Sequence, residues 1–381
     1  IIMNILIFTS LITDACLERR DNREYISFAG RKKIRLLCRS LESLGHTVDV
    51  CSTSYAKRMN KTFVEKISRK VRIIHAPTIG FFGRMSFLKR PVGMAFNLYW
   101  ICRHFRKYDL VVFYNYHKEY LLPALLGKKW FGLPILMDYE DGLFLDKGYQ
   151  SSLYRYLEKT AYRETEGFFL VNGSLRERLR IYGQDHKPSL VVNGFLDPEL
   201  LESNREWKPG AMKELAFTGN FSGSFGFEEL LQYVQYLPEN FRLTVTGQAD
   251  PEEEKALIDA TKGRSNVCFM GRMDSVRFEQ VFEKIEICIL LNSAASDWNK
   301  TNFPSKLFDY LSRNRFVLST CNPVLKPYYG LSNFVLLEDF PGDLEKLEQV
   351  MEKRAPNPQE LFSLHAETLK SLELFIEKLV S

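Results

Sequence analysis

No stretch of this 381-residue chain approaches the roughly 18 to 20 consecutive apolar residues that a membrane-spanning helix needs, so the sequence predicts no such span. Its seven cysteines contain no CxxC pair, and its histidines show no zinc-ligand spacing. Those absences exclude a disulfide scaffold and a zinc module, and they suit reduced cytoplasmic thiols. The chain also lacks internal repeats, low-complexity segments and any nucleic-acid-binding motif, so solenoid, linker and nucleic-acid readings fall away. The apolar opening, residues 1–12, has no basic segment before it and ends in Thr13-Asp14-Ala15-Cys16, which favours a first β-strand over a secretory leader.

What is present is the composition of a folded protein: 45% apolar and 26% charged residues. At this length one hydrophobic core has usually stopped growing, and two domains are expected. The net charge of +5 is unevenly spread. Residues 1–200 hold 32 Lys and Arg against 20 Asp and Glu, which is +12, and the remainder holds 20 against 27, which is −7. A basic N-terminal half fits an anionic lipid or a phosphate-bearing acceptor as well as a merely solvated surface.

The apolar pattern alternates between two periods. Residues 3–10 are a buried-strand run, 31–45 carry Ile34, Leu37, Cys38, Leu41 and Leu44 at helical spacing up to Gly45, and 47–52 are strand-like again. This is the strand, helix, strand opening of a parallel sheet. Further strands are predicted at 71–75, 110–114, 134–137 and 167–171, and a second series at 215–218, 242–246, 267–270, 287–291, 316–319 and 334–337. The expected architecture is α/β, two tandem Rossmann-like doubly wound domains facing across a cleft. Residues 1–187 form the first and 188–360 the second, with the amphipathic segment 361–381 packing back on the first.

The stretch TNFPSKLFDYLSRNRFVLST, residues 301–320, is the most informative. Pro304 and Ser305 signal a helix start, with Lys306 beside them and Asp309 one turn on, about 4.5 to 6 Å along the axis. One reading is a diphosphate against the helix start and Lys306, with a ribose hydroxyl on Asp309. The other is a capped helix with an exposed ion pair worth a few tenths of a kcal/mol.

Phe303 to Leu311 resembles the "lPSKlfeYla" segment of retaining two-domain (GT-B) glycosyltransferases of family 4, in the branch that builds bacterial surface polysaccharides. Other stretches fall in that family's order: Leu215 to Gly219 with Asn220, Leu243 to Gly247, Val267 to Gly271, and Val192 to Asp197 as the linker. Tyr108 to Tyr116 and Gly167 to Ser174 resemble strands of its N-terminal domain. The resemblance implies a hexosyltransferase that uses a UDP- or GDP-sugar as substrate, without metal or other cofactor. The sugar would pass with retention to a hydroxyl of a glycan or lipid-linked acceptor in surface polysaccharide biosynthesis, at the cytoplasmic side of the membrane. It assigns donor binding to Gly219, Asn220, Gly247, Asn302, Pro304, Ser305, Lys306 and Asp309, with Asp309 on the ribose and Lys306 stabilising the departing phosphate.

Two departures from the family pattern matter. The first carboxylate of its acidic pair, seven residues before Asp309, is replaced by Asn302, and the arginine and lysine that grip the diphosphate fall on Asn220 and Phe225. Phosphate charge must then be met by Lys306, by Lys300 and by backbone around Gly219, Gly223 and Gly226, glycines that equally suit positive φ in a βα loop. An epimerase or hydrolase of the same fold, or a non-catalytic nucleotide-sugar-binding subunit, is the alternative.

A second candidate cluster is Asp138-Tyr139-Glu140-Asp141-Gly142, directly after a predicted strand. Glu140 or Asp141 there is placed to accept the acceptor's proton, although a solvated acidic turn reads equally from the residues; a metal-holding motif is a third reading, which the double series of strands argues against. Residues 84–106 mix basic and aromatic side chains, a pattern of peripheral contact with an anionic membrane or of a half-buried domain helix.

Overall fold

The computed structural model describes residues 1–20, 28–53, 60–78, 89–140, 142–202, 212–220, 226–291, 297–338, 342–353 and 356–380. The chain divides into two compact units, Ile1–Phe195 with Ala366–Ser381, and Leu196–His365.

In the first unit the strands are β1 (Asn4–Thr9), β2 (Thr47–Ser52), β3 (Phe63–Lys66), β4 (Val71–His75), β5 (Leu110–Tyr114), β6 (Ile135–Tyr139), β7 (Gly167–Leu170) and β8 (Ser189–Val191). They lie in the order β3-β4-β2-β1-β5-β6-β7-β8. All neighbours pair in parallel except β3, which runs antiparallel to β4 on the edge. The strands are apolar runs because helices cover both faces of such a sheet, and Ile5 to Phe8 are fully buried.

The helix Phe28–Ser43 sends Ile34, Leu37, Cys38 and Leu41 into that core, a single stripe at helical spacing. Gly45, at φ 95°, ends the segment with a backbone conformation that costs other residues strain. The C-terminal helix Pro358–Val380 puts Leu372, Phe375 and Ile376 into the same core, with the Phe375 ring 5.5 Å from that of Phe169. A side chain at Gly167 would crowd Leu379 and Phe375 of this helix and lie 3.1 Å from the carbonyl of Pro188, so glycine there lets the helix pack close to the strand.

The second unit holds β9 (Lys213–Asn220), β10 (Phe241–Gln248), β11 (Val267–Phe269), β12 (Ile287–Leu290), β13 (Phe316–Thr320) and β14 (Phe334–Leu337). Their order is β11-β10-β9-β12-β13-β14, all parallel. Counted from β9, that is the doubly wound order 3-2-1-4-5-6. Both units are therefore Rossmann-like, and the chain reverses direction across the sheet between β9 and β12. Loops at the carboxyl ends of those two strands diverge, which leaves a crevice where such sheets take their ligands.

Candidate active site

In the second unit the crevice is built by close backbone approach. Gly219 and Gly247 are register partners at the ends of β9 and β10, with φ of 100° and 143°. A side chain at Gly247 would run into the carbonyl of Gly219, and one at Gly219 would run into the ammonium of Lys306. Across the reversal point, Gly226 (φ 85°) precedes the helix Phe227–Tyr236, and a Cβ there would sit 2.8 Å from the carbonyl of Leu291, just past β12. Glycine at these positions is a packing requirement as much as a conformational one.

Lys306 begins the helix Lys306–Ser312 and sends its Nζ to the carbonyl oxygen of Thr218, near the carboxyl end of β9. The same helix is tied to β9 by Tyr310, whose hydroxyl lies 2.7 Å from Thr218 Oγ1 in a fully buried contact. Nζ also lies 5.4 Å from the centre of the Phe217 ring. Burial holds the ammonium down to a pKa of about 8, and no carboxylate among the described residues is paired with it. An ammonium has three donors, and one strand carbonyl does not neutralise its charge. A desolvated cation of this kind favours an anion at the spot it reaches.

The rest of the expected donor set is placed as follows. Pro304 accepts the Leu307 N–H at 2.9 Å, and Ser305 sits exposed at the helix start without bonding to the helix through its side chain. Asn302 is half-buried two residues earlier. Asp309 faces Arg313 at 3.5 Å, one turn along, and Arg313 in turn holds Glu279 through two 2.7 Å bonds. Burial opposes the charge on Arg313, but its bond to Glu279 and the nearby Asp309 outweigh that and raise its pKa. The helix Lys306–Ser312 is only seven residues long. The neighbouring helix Phe227–Tyr236 already carries Glu228 and Glu229 in its first turn. Lys306 therefore supplies the positive charge of the crevice more than either helix dipole does. Gly223, Phe225 and Asp141 lie outside the described residues, as does the side chain of Asn220.

At the matching edge of the first unit, Asp138 near the end of β6 and Glu140 just past it are engaged by Lys33, from the helix Phe28–Ser43. Its Nζ is 3.1 Å from Asp138 and forms an ion pair with Glu140. All three side chains are nearly buried. Asn115, fully buried with φ 48°, closes the arrangement: its Oδ1 accepts the Glu140 N–H at 2.9 Å, and its own backbone N–H donates to the backbone carbonyl of Asp138 at 2.8 Å. Asparagine is one of the few residues that takes this conformation readily. Lys33 and Asn115 were not anticipated from the sequence. The only signal was an asparagine directly after a strand and one lysine within a basic helix start. Among the described residues no cluster of His, Cys, Asp and Glu has the geometry to hold a metal ion.

Residues 34–200 match the family described as Glycosyltransferase Family 4. By sequence, no curated protein matches the chain. By fold it is similar to sucrose-phosphate synthase from Thermosynechococcus elongatus, with a TM-score of 0.63 at 13% identity, over 99% of this chain and 96% of that one. It is likewise similar to Anabaena HepE, solved in complex with UDP and glucose, with a TM-score of 0.65 at 13% identity over 99% of both chains. The catalytic domain of Arabidopsis thaliana starch synthase IV, bound to ADP and acarbose, gives 0.64 at 9% over 99% of both.

Proposed function

From its place among family 4 glycosyltransferases of the GT-B fold, we propose that this chain moves a hexose from a UDP- or GDP-sugar to a hydroxyl of a glycan or lipid-linked acceptor, with retention, in surface polysaccharide biosynthesis. The observation that carries the donor half of this reading is Lys306, whose ammonium is buried with no carboxylate partner among the described residues, at the reversal point of a doubly wound sheet. Breaking the bond between sugar and diphosphate leaves negative charge on the departing phosphate. A fixed cation already desolvated at that point stabilises it more in the transition state than in the ground state. The family's arginine and lysine are missing at positions 220 and 225, so Lys306 bears that task with the backbone of the Gly219 turn. Asp309 takes the ribose, exchanging part of its contact with Arg313 for the sugar hydroxyls. No metal is required for this chemistry.

The acceptor half is assigned to the first unit, where Glu140 and Asp141 stand past β6. Glu140 is ion-paired with Lys33. In that state it orients an acceptor hydroxyl and takes its proton only if the lysine yields. A lipid-borne acceptor places the enzyme on the inner face of the cytoplasmic membrane.

The test is a thermal-stability screen of the full chain with UDP, GDP, ADP and their sugars, followed by product detection with the stabilising donor. A ligand at about 100 times its Kd adds about 2.7 kcal/mol, and Lys306→Ala is expected to abolish that gain. Stabilisation retained in the variant would remove the proposed donor site. Donor breakdown without an acceptor would instead indicate a hydrolase or epimerase.

A further inference from the structure

Resting on the reading in which Asp309 takes the donor's ribose, we propose that Arg313, clasped by Glu279, is a positioning residue that aims the Asp309 carboxylate and makes donor binding depend on an intact ribose. The helix Ser275–Phe282 and the helix Lys306–Ser312 are joined through this arginine, which caps the second. Its Nη1 and Nη2 each donate to one carboxylate oxygen of Glu279 at 2.7 Å, a parallel fork that sets both the place and the plane of the guanidinium. The guanidinium carbon lies 4.9 Å from the centre of the Phe282 ring. Phe282 is buried and stacks in turn on Tyr310, with ring centres 6.0 Å apart, and Tyr310 is tied to β9 through Thr218. The Arg313 side chain is only 14% exposed, so its position is set by the second unit's core as well as by Glu279.

From that fixed plane Nε faces back one helical turn to Oδ1 of Asp309, 3.5 Å away. An exposed pair at this spacing contributes little, because both side chains lose rotamer freedom in order to meet. Here Arg313 has already lost that freedom to Glu279 and Phe282, and only Asp309 has to settle against it. A carboxylate has about four acceptor sites, so one N–H on Oδ1 is compatible with a sugar hydroxyl on the same group. A carboxylate oriented before the nucleotide arrives lowers the ordering cost of that hydrogen bond. Lysine at 313 would keep the charge and lose the geometry: an ammonium has no planar fork to lie on Phe282, grip Glu279 twice and still present a third donor in a set direction. A mere staple between the two helices would leave the ratio of affinities for ribose and deoxyribose nucleotides unchanged, and that ratio separates the two roles.

The experiment is calorimetric titration of the full chain with UDP, GDP and their 2′,3′-dideoxy counterparts. Wild type is expected to prefer the ribose form of the nucleotide it binds by about tenfold, the worth of a hydrogen bond to a charged group. In Arg313→Lys, and in Glu279→Gln one helix away from Asp309, that preference is expected to fall to about two- to threefold, with affinity for the dideoxy form within about twofold of wild type. Added to Asp309→Ala, Arg313→Lys is expected to change the preference no further, because the two residues act as a unit. A tenfold preference kept by both Arg313→Lys and Glu279→Gln would overturn the inference and leave Asp309 as the ribose ligand. No preference in wild type, or no binding of any of the four nucleotides, would instead remove the donor reading and the inference with it. Loss of both nucleotide forms together would mark Arg313→Lys as misfolded, and the isosteric Glu279→Gln, at a side chain 53% exposed, then decides.

Discussion

The two units share a strand order around their central strands and differ in how they treat a buried cation at the carboxyl edge of the sheet. In the first, Lys33 is matched by Asp138 and Glu140. In the second, Lys306 meets a strand carbonyl and no carboxylate among the described residues. The first arrangement is electrically closed and holds the loop after β6 in place. The second is open by one charge, which raises the energy of the empty protein and, on the function proposed above, is what a bound phosphate relieves. The same topology can thus make a structural bridge or an anion seat, depending on whether acidic side chains complete it.

The comparison is broken most severely by removing Lys33. Lys33→Ala leaves two nearly buried carboxylates uncompensated, and the expected loss is about 3 to 5 kcal/mol of stability. Denaturant melting would show it. Nucleotide affinity, assigned to the second unit, should survive under conditions where the variant remains folded. Lys306→Ala should do the reverse: nucleotide diphosphate affinity falls by about 3 kcal/mol or more in calorimetric titration, while stability holds or rises because an unmatched buried charge is gone. Gly247→Ala tests whether the seat depends on backbone approach. A Cβ there collides with the Gly219 carbonyl, and about 2 to 3 kcal/mol of stability is expected to go together with nucleotide binding.

Acidity sharpens the contrast further. Lys306 in the folded chain loses its proton near pH 8, below its ordinary 10.5. Between those values the unfolded chain holds a proton that the folded chain lacks, so this residue's destabilising contribution is full below pH 8 and fades as pH rises towards 10.5. Diphosphate affinity moves the opposite way and should fall above pH 8, by at most about tenfold per unit. The smallest effect belongs to Asp309→Ala. If the carboxylate serves Arg313 alone, the change costs under about 1 kcal/mol of stability and leaves nucleotide affinity alone. If it holds the ribose, affinity drops about tenfold, and adenosine, uridine and guanosine diphosphates all suffer alike.

The sequence made the fold legible because parallel strands buried on both faces are continuous apolar runs, set off by glycines and polar turns. Strands of both series, such as β1, β9 and β13, stand where those runs do. β3 escaped notice because it is a short antiparallel edge strand whose Val64 and Lys66 face solvent, which leaves no apolar run to read. At the site, Pro304, Ser305, Lys306 and Asp309 are local in sequence and could be read together. Their partners could not: Lys306 meets Thr218, 88 residues away, and Lys33 meets Asp138, 105 residues away. Charge matching across such distances is decided by the sheet order, which brings the ends of separate strands to one edge. Composition gives no sign of it.

Calorimetric titration of the full chain with a nucleoside diphosphate at pH 8, repeated in buffers of different ionisation enthalpy, counts the protons exchanged on binding. With Lys306 about half protonated when empty and fully protonated against a diphosphate, binding should take up about half a proton. No uptake, or release, would mean that the anion does not rest on Lys306.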